Sequence, residues 1–202
     1  EALAMKLWTL TTLLATTWAA VAQAAPVELK NVPADAAWVA AVDVDAARSS
    51  PVTRTFFKEC LGQCTQAKQG MEKACRAMGL ADCKDLHSIS AYGLDFSPHN
   101  GVAIVHAKID KQAALEKVQK APDHKTVQYG DHEIHTWTMR KGTKHAHTMA
   151  GTLYKDDLLV FAAGVDRLKA ALDVLDGKAA NLASKTGPLA DKAPEGAIFV
   201  AR

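Results

Sequence analysis

Histidine is the residue type whose number and spacing most invite chemistry in this chain. Seven of the eight histidines, His99, His106, His124, His132, His135, His145 and His147, fall between positions 99 and 147. The strands flanking Lys141-Gly142 read as a hairpin with a two-residue turn. In that register His145 faces Thr138 and His147 faces Thr136. Residues two apart on a strand leave the same face, so His145 and His147 are spaced to share one zinc or copper ion. His132 is on that face but more than about 10 Å along the strand, so a third ligand has to come from another element. The competing reading is a solvated face of His and Thr. The opposite face then turns to the core through Trp137, Met139, Ala146 and Ala150.

The same stretch supports an electrostatic reading. It carries eight Lys or Arg against five Asp or Glu, and the histidines add positive charge below about pH 6. Arg140, Lys141 and Lys144 at the hairpin tip are the densest part. They would dock an anionic polysaccharide of the cell surface, lipid headgroups or the acidic face of a protein partner. A solvated hairpin tip is the plainer account of the same charges.

Signatures of catalysis are missing from the sequence. It contains no G-x-S-x-G elbow, phosphate-binding loop, G-x-G-x-x-G or H-E-x-x-H helix. Asp43 and Asp45 alternate at the end of a strand, where paired carboxylates could exchange protons, although such an Asp more often caps the following segment. The expected class is non-enzymatic, with no cofactor unless zinc or copper is held by the hairpin.

Cys60, Cys64, Cys75 and Cys83 lie close together. In an oxidising compartment they read as two disulfides, for which three pairings exist. Gly62 allows a turn between Cys60 and Cys64. Cys75 lies near a helix end at Gly79 and Cys83 just follows the turn, so the favoured set is Cys60–Cys64 with Cys75–Cys83. A four-thiolate zinc site is the alternative, with looser spacings than usual.

These residues need elements to hold them. Ala37 to Val44 is an apolar strand, and Ser50-Pro51 opens a helix to about Leu61. A second helix runs from about Thr65 to Met78 and stops at Gly79. Ile89 to Leu94 and Gly101 to Lys108 are strands, and Asp110 caps a helix over Lys111 to Ala121. Four strands follow, over 126–129, 133–140, 143–154 and 158–163. The helix from Asp166 to Asp176 carries Leu168, Leu172 and Leu175 on one stripe. Hairpin-like links and this order make an α+β domain with a largely antiparallel sheet and helices packed on one face.

The whole chain has 202 residues, 49% of them hydrophobic, and a net charge of +2. That is ordinary globular composition, with no general case for nucleic-acid binding. Lys6, the apolar run from Leu7 to Ala22 and the small residues Ala22 and Ala24 before Ala25-Pro26 form a secretory signal with cleavage after Ala24. The run is short for a membrane span. The expected organisation is therefore a signal over 1–24, an α+β domain over 25–177 and a linker over 178–195. The protein would be exported to the periplasm or the exterior, with no membrane span after cleavage.

A repeat signal closes the chain. Pro33-Ala34-Asp35-Ala36-Ala37-Trp38-Val39-Ala40 is matched by Pro194-Glu195-Gly196-Ala197-Ile198-Phe199-Val200-Ala201. Residues 196–202 then read as the first strand of a second copy; the competing readings are a chance match or a last strand completing the first sheet.

Val32-Pro33-Ala34-Asp35, Lys84-Asp85-Leu86-His87-Ser88-Ile89 followed by Tyr92-Gly93, Tyr129-Gly130-Asp131 and Tyr154-Lys155-Asp156-Asp157-Leu158 together resemble a group of uncharacterised exported bacterial proteins of planctomycete type. The resemblance covers about Val32 to Arg202. It implies export and a repeated α+β module, and supplies no catalytic residue. The function expected is a binding or structural module of the cell exterior, with a metal-binding hairpin as the alternative.

Overall fold

A computed structural model describes residues 28–51, 65–97, 100–185 and 198–201. The signal segment, Cys60, Cys64, His99 and most of the helix expected after Pro51 lie outside the described residues. Eight strands form one sheet in the order β4-β5-β6-β7-β3-β2-β1-β8. They are β1 (Trp38–Asp43), β2 (Leu86–Gly93), β3 (Gly101–Ala107), β4 (Lys125–Tyr129), β5 (His132–Met139), β6 (His147–Lys155), β7 (Leu158–Ala163) and β8 (Ile198–Ala201). Every adjacent pair is antiparallel. The helices are α1 (Val44–Ser49), α2 (Thr65–Ala77), α3 (Lys111–Gln119) and α4 (Val165–Leu175). The fold is α+β, as the element order implied.

Local chemistry explains the element ends. The Asp43 side chain accepts from the Ala46 N–H at 2.8 Å and starts α1, and Asp110 does the same for α3 through Ala113 N–H at 3.0 Å. Each supplies an acceptor for an N–H that the helix leaves unpaired. Helix α4 ends on Gly177 at φ 73°, a left-handed turn that glycine adopts without strain. The Lys178 N–H then reaches back to Asp173 O at 2.8 Å, closing the cap.

The core differs from the expectation of helices on one face. Ile104 and Val160 pack with Leu168, Ala171 and Leu172 of α4. Their sequence neighbours Val105 and Leu159 pack with Cys75 at the end of α2 and with Leu80. Consecutive strand residues point to opposite faces, so the two clusters lie on opposite sides of the sheet. The cause is in β3 and β7, which are apolar on both faces and need cover on both. Cys75 and Cys83 are bridged with Cα atoms 5.5 Å apart, which ties the end of α2 to the turn before β2. The expected linker also begins late. Leu182 is buried, its N–H donates to Val32 O at 2.8 Å, and Ala34 N–H donates to Ala180 O at 3.0 Å. The packed body therefore extends at least to Leu182.

Candidate functional site

The histidine hairpin does not have the geometry its sequence suggested. The connection is not a two-residue turn at Lys141-Gly142. It spans residues 140–146, with Arg140 at φ 51° and Gly142 at φ 82°. The Thr143 hydroxyl donates to Arg140 O at 2.8 Å and accepts from His145 N–H at 3.2 Å, which holds two successive turns together. Met139 therefore pairs with His147 and Thr136 with Ala150, not with His147. An odd shift of register turns the second strand over. Ile134, Thr136, Ala150 and Thr152 become the buried side. Trp137 pairs with Met149 on the other face and meets Phe161 edge-on at 6.3 Å between ring centres. His145 lies in the loop and His147 begins β6, with its Nδ1 2.9 Å from the carbonyl of His145. The alternation that brought these two rings together on one face no longer applies. Among the described residues, no group of three or more His, Cys, Asp or Glu is placed to hold a metal ion.

The basic tip is partly paired as well. Lys141 Nζ lies 2.6 Å from Asp123 Oδ1, and this contact holds the Asp123 carboxyl below its ordinary value. Arg140 and Lys144 are exposed.

The remaining histidines are distributed over three sets of contacts. His132 Nε2 is 3.2 Å from both carboxyl oxygens of Asp176 and its ring stacks on Tyr154. Lys178 Nζ is 2.8 Å from the same carboxyl. Lys178 first, and then His132, hold Asp176 below the usual carboxylate range. His135 is buried against His124, with 3.2 Å between ring nitrogens, and burial pushes its pKa down. His87 and His106 form the third set, described below.

The sheet carries a different candidate on the α4 side. Asp43, Ser88 and His106 stand directly opposite one another on β1, β2 and β3. The next row is Ala41, Ser90 and Ile104. Helix α4 lies over β7, β6 and β3. Ser88 and Ser90 are small, so the surface over β2 stays hollow. The result is a cleft of about 530 Å³, walled by Lys30 and Asn31 on one side and by Val174, Leu175 and Asn181 on another. That volume is in the range of small-molecule sites.

Two imidazole–carboxyl pairs stand at and near its rim. His106 Nε2 is 2.8 Å from Asp157 Oδ2. His87 Nδ1 is 2.8 Å from Asp45 Oδ2. The rings of His87 and His106 are 5.3 Å apart. Simple alternation would send His87 to the face away from Ser88 and His106. The register break between Leu86 and Ser88 re-aims it, as β-bulges do. Arg48 fixes Asp45 at 3.2 Å and donates to the carbonyls of Lys84 and Leu86 at 3.0 and 2.8 Å and to that of Cys83.

Asp43 is the residue the fold leaves unfinished. It is 6% exposed. Its Oδ1 caps α1, and its Oδ2 is buried with no hydrogen-bond partner among the described residues. An acceptor in that state costs about 1–3 kcal/mol relative to a satisfied one. The sequence reading foresaw Asp43 as a cap. It placed Asp43 and Asp45 on one strand face, whereas Asp45 is in α1 and points to His87 and Arg48. The cleft was missed because its residues come from distant parts of the chain. The only local signal was the Ser-x-Ser alternation in β2.

Among the described residues, no helix is long and apolar enough to cross a membrane. Comparison with protein-family models, curated proteins and solved structures found no match.

Proposed function

We propose that this protein is an exported, non-enzymatic binding module whose cleft over β1, β2 and β3 takes a small neutral polyol of the saccharide class. The observation that carries the reading is Asp43, a residue of the cleft wall whose buried Oδ2 has no hydrogen-bond partner among the described residues. A hydroxyl group supplies such a donor and leaves its own oxygen to accept from a neighbour. Ser88, Ser90 and the His106–Asp157 pair offer the mixed donors and acceptors that several hydroxyls need. On the wall Glu28, Asp43 and Asp157 stand against Lys30 and Lys155, a near balance that favours a neutral ligand over the polyanion considered for Arg140, Lys141 and Lys144. Export is supported by the signal-like segment at 1–24 and by the Cys75–Cys83 bridge, which suits an oxidising compartment.

The test is thermal denaturation with a panel of neutral mono- and disaccharides. A sugar present at about ten times its Kd should stabilise the protein by about 1.4 kcal/mol, raising Tm by a few degrees. Asp43→Asn should abolish the rise for that sugar. A rise that is equal in wild type and Asp43→Asn would refute the assignment.

A further inference from the structure

Strand β1 ends the row of strands β4-β5-β6-β7-β3-β2-β1, and its outer edge is met by β8. Before Asp43 the strand reads Trp-Val-Ala-Ala-Val, with no charge, proline or glycine. Edges left to solvent are usually blunted by such residues, so β1 has the composition of a strand meant to be paired on both sides.

The register of that pairing has a definite relation to the sequence repeat. Trp38 pairs with Ala201, Val39 with Val200, Ala40 with Phe199 and Ala41 with Ile198. In the match of 33–40 to 194–201, Val39 corresponds to Val200, Trp38 to Phe199 and Ala40 to Ala201. Val39 therefore lies opposite its own equivalent. Trp38 lies opposite the equivalent of Ala40, and Ala40 opposite the equivalent of Trp38. An antiparallel seam between equivalent strands is two-fold symmetric. Here the axis passes at Val39, so the last three matched residues, 38–40, lie opposite the last three of the other copy, 199–201, while Ile198 pairs with Ala41 beyond the match.

We propose that the outer edge of β1 is a module–module interface whose occupant is the first strand of a second module of the same kind, joined about a two-fold axis at residue 39. Strand β8 fills that place in the chain described here. The affinity resides in main-chain pairing, and the specificity in the apolar pattern that both strands share. This inference is independent of the cleft, which lies on a face of the sheet and not on its edge.

The experiment frees the edge and asks what takes it. Successive N–H groups on a strand point to opposite edges, so Phe199→Pro with Val200→Pro removes a donor facing β1 whichever residue supplies it. The full chain carrying both changes, with Cys60→Ser and Cys64→Ser to silence other thiols, should double its mass in sedimentation relative to the same chain with β8 intact. Val39→Cys added to it should give a disulfide-linked dimer, since the two copies of residue 39 are opposed. Ala41→Cys should not, because its copies would lie about 13 Å apart along the strands. A second variant leaves β8 unbroken. Val39→Cys with Val200→Cys should close a disulfide within one chain. A monomeric proline variant, equal cross-linking at 39 and 41, or no bridge between 39 and 200 would overturn the proposal.

Discussion

Asp43 on β1 stands directly opposite Ser88 on β2, and the Ser88 side leads across to His106 on β3. This row exists only because the chain places β2 between its first and third strands. One of its members, Asp43, divides its carboxyl between a structural task and an open one. Oδ1 caps α1, and the buried Oδ2 has no hydrogen-bond partner among the described residues.

That division predicts different outcomes for two substitutions. Asp43→Asn keeps an acceptor for the Ala46 N–H, and Asn is as good a cap as Asp. Its stability should stay within about 0.5 kcal/mol of wild type. Asp43→Ala loses the cap and should cost about 1 kcal/mol. Urea denaturation of the two variants separates these roles. A large loss in Asp43→Asn would mean that Oδ2 has a structural partner.

The contacts of Asp176 predict an acid-sensitive lock between α4 and β5. Its folded-state pKa lies below the ordinary value because Lys178 and His132 face it. A lowered carboxyl pKa contributes stability that is complete above the unfolded value of about 3.9 and is lost as pH falls through the folded value. Asp176→Asn should cost about 1 kcal/mol near neutrality, and the gap to wild type should close in acid. Denaturation midpoints across that range provide the check. A gap that persists unchanged at the acid end would contradict the linkage.

His135 gives the opposite kind of group with the same direction of loss. Burial lowers its pKa, while Glu133 works against burial and His124 works with it. The unfolded chain then binds the proton more readily. Stability is full above the unfolded value of about 6.5 and falls as pH drops below it. His135→Gln should flatten the stability profile between about pH 7.5 and about pH 5.5. Parallel profiles for the two proteins would show that His135 does not contribute.

Gly151 of β6 holds a tight place in the sheet. A Cβ there would lie 2.8 Å from Phe161 Cδ1 and 3.1 Å from a ring carbon of Trp137. Overpacking of this kind costs about 1–3 kcal/mol. Gly151→Ala should be destabilised by that amount, and near-UV circular dichroism should report the displaced indole. An unchanged Tm would show that the two rings have room to move apart.

The Cys75–Cys83 bridge closes a short loop between α2 and β2. On chain-entropy grounds its removal should cost about 2–3 kcal/mol. The double variant Cys75→Ser/Cys83→Ser is compared with wild type under oxidising conditions by urea denaturation. Equal midpoints would mean that the bridge adds nothing to the fold.

How much of this was legible in the sequence depended on how local each feature is. The caps at Asp43 and Asp110 and the stripe of Leu168 and Leu172 on α4 are local and were readable, as was the turn that brings Cys75 to Cys83. The histidine hairpin was not. Lys141-Gly142 resembles a tight turn, but Thr143 organises a longer loop through its hydroxyl. Because side chains alternate with period two, that one change turned β6 over. The two-faced core was missed: the unbroken apolar runs in β3 and β7 call for cover on both sides, but helices on one face were expected, and which helix covers which face is a matter of long-range packing. The cleft was invisible for the same reason, since strand order alone joins Asp43, Ser88 and His106.

The central claim is that ligand binding occurs in the cleft under Asp43 and not at the basic hairpin tip. The most direct test is an amide chemical-shift titration of the full chain with the panel of neutral saccharides. The account predicts that the sugar that binds perturbs Asp43, Ser88, Ser90, His106 and Lys155, around the cleft. Perturbations confined to Arg140, Lys141, Lys144 and His147, or none at the cleft with any sugar, would contradict it.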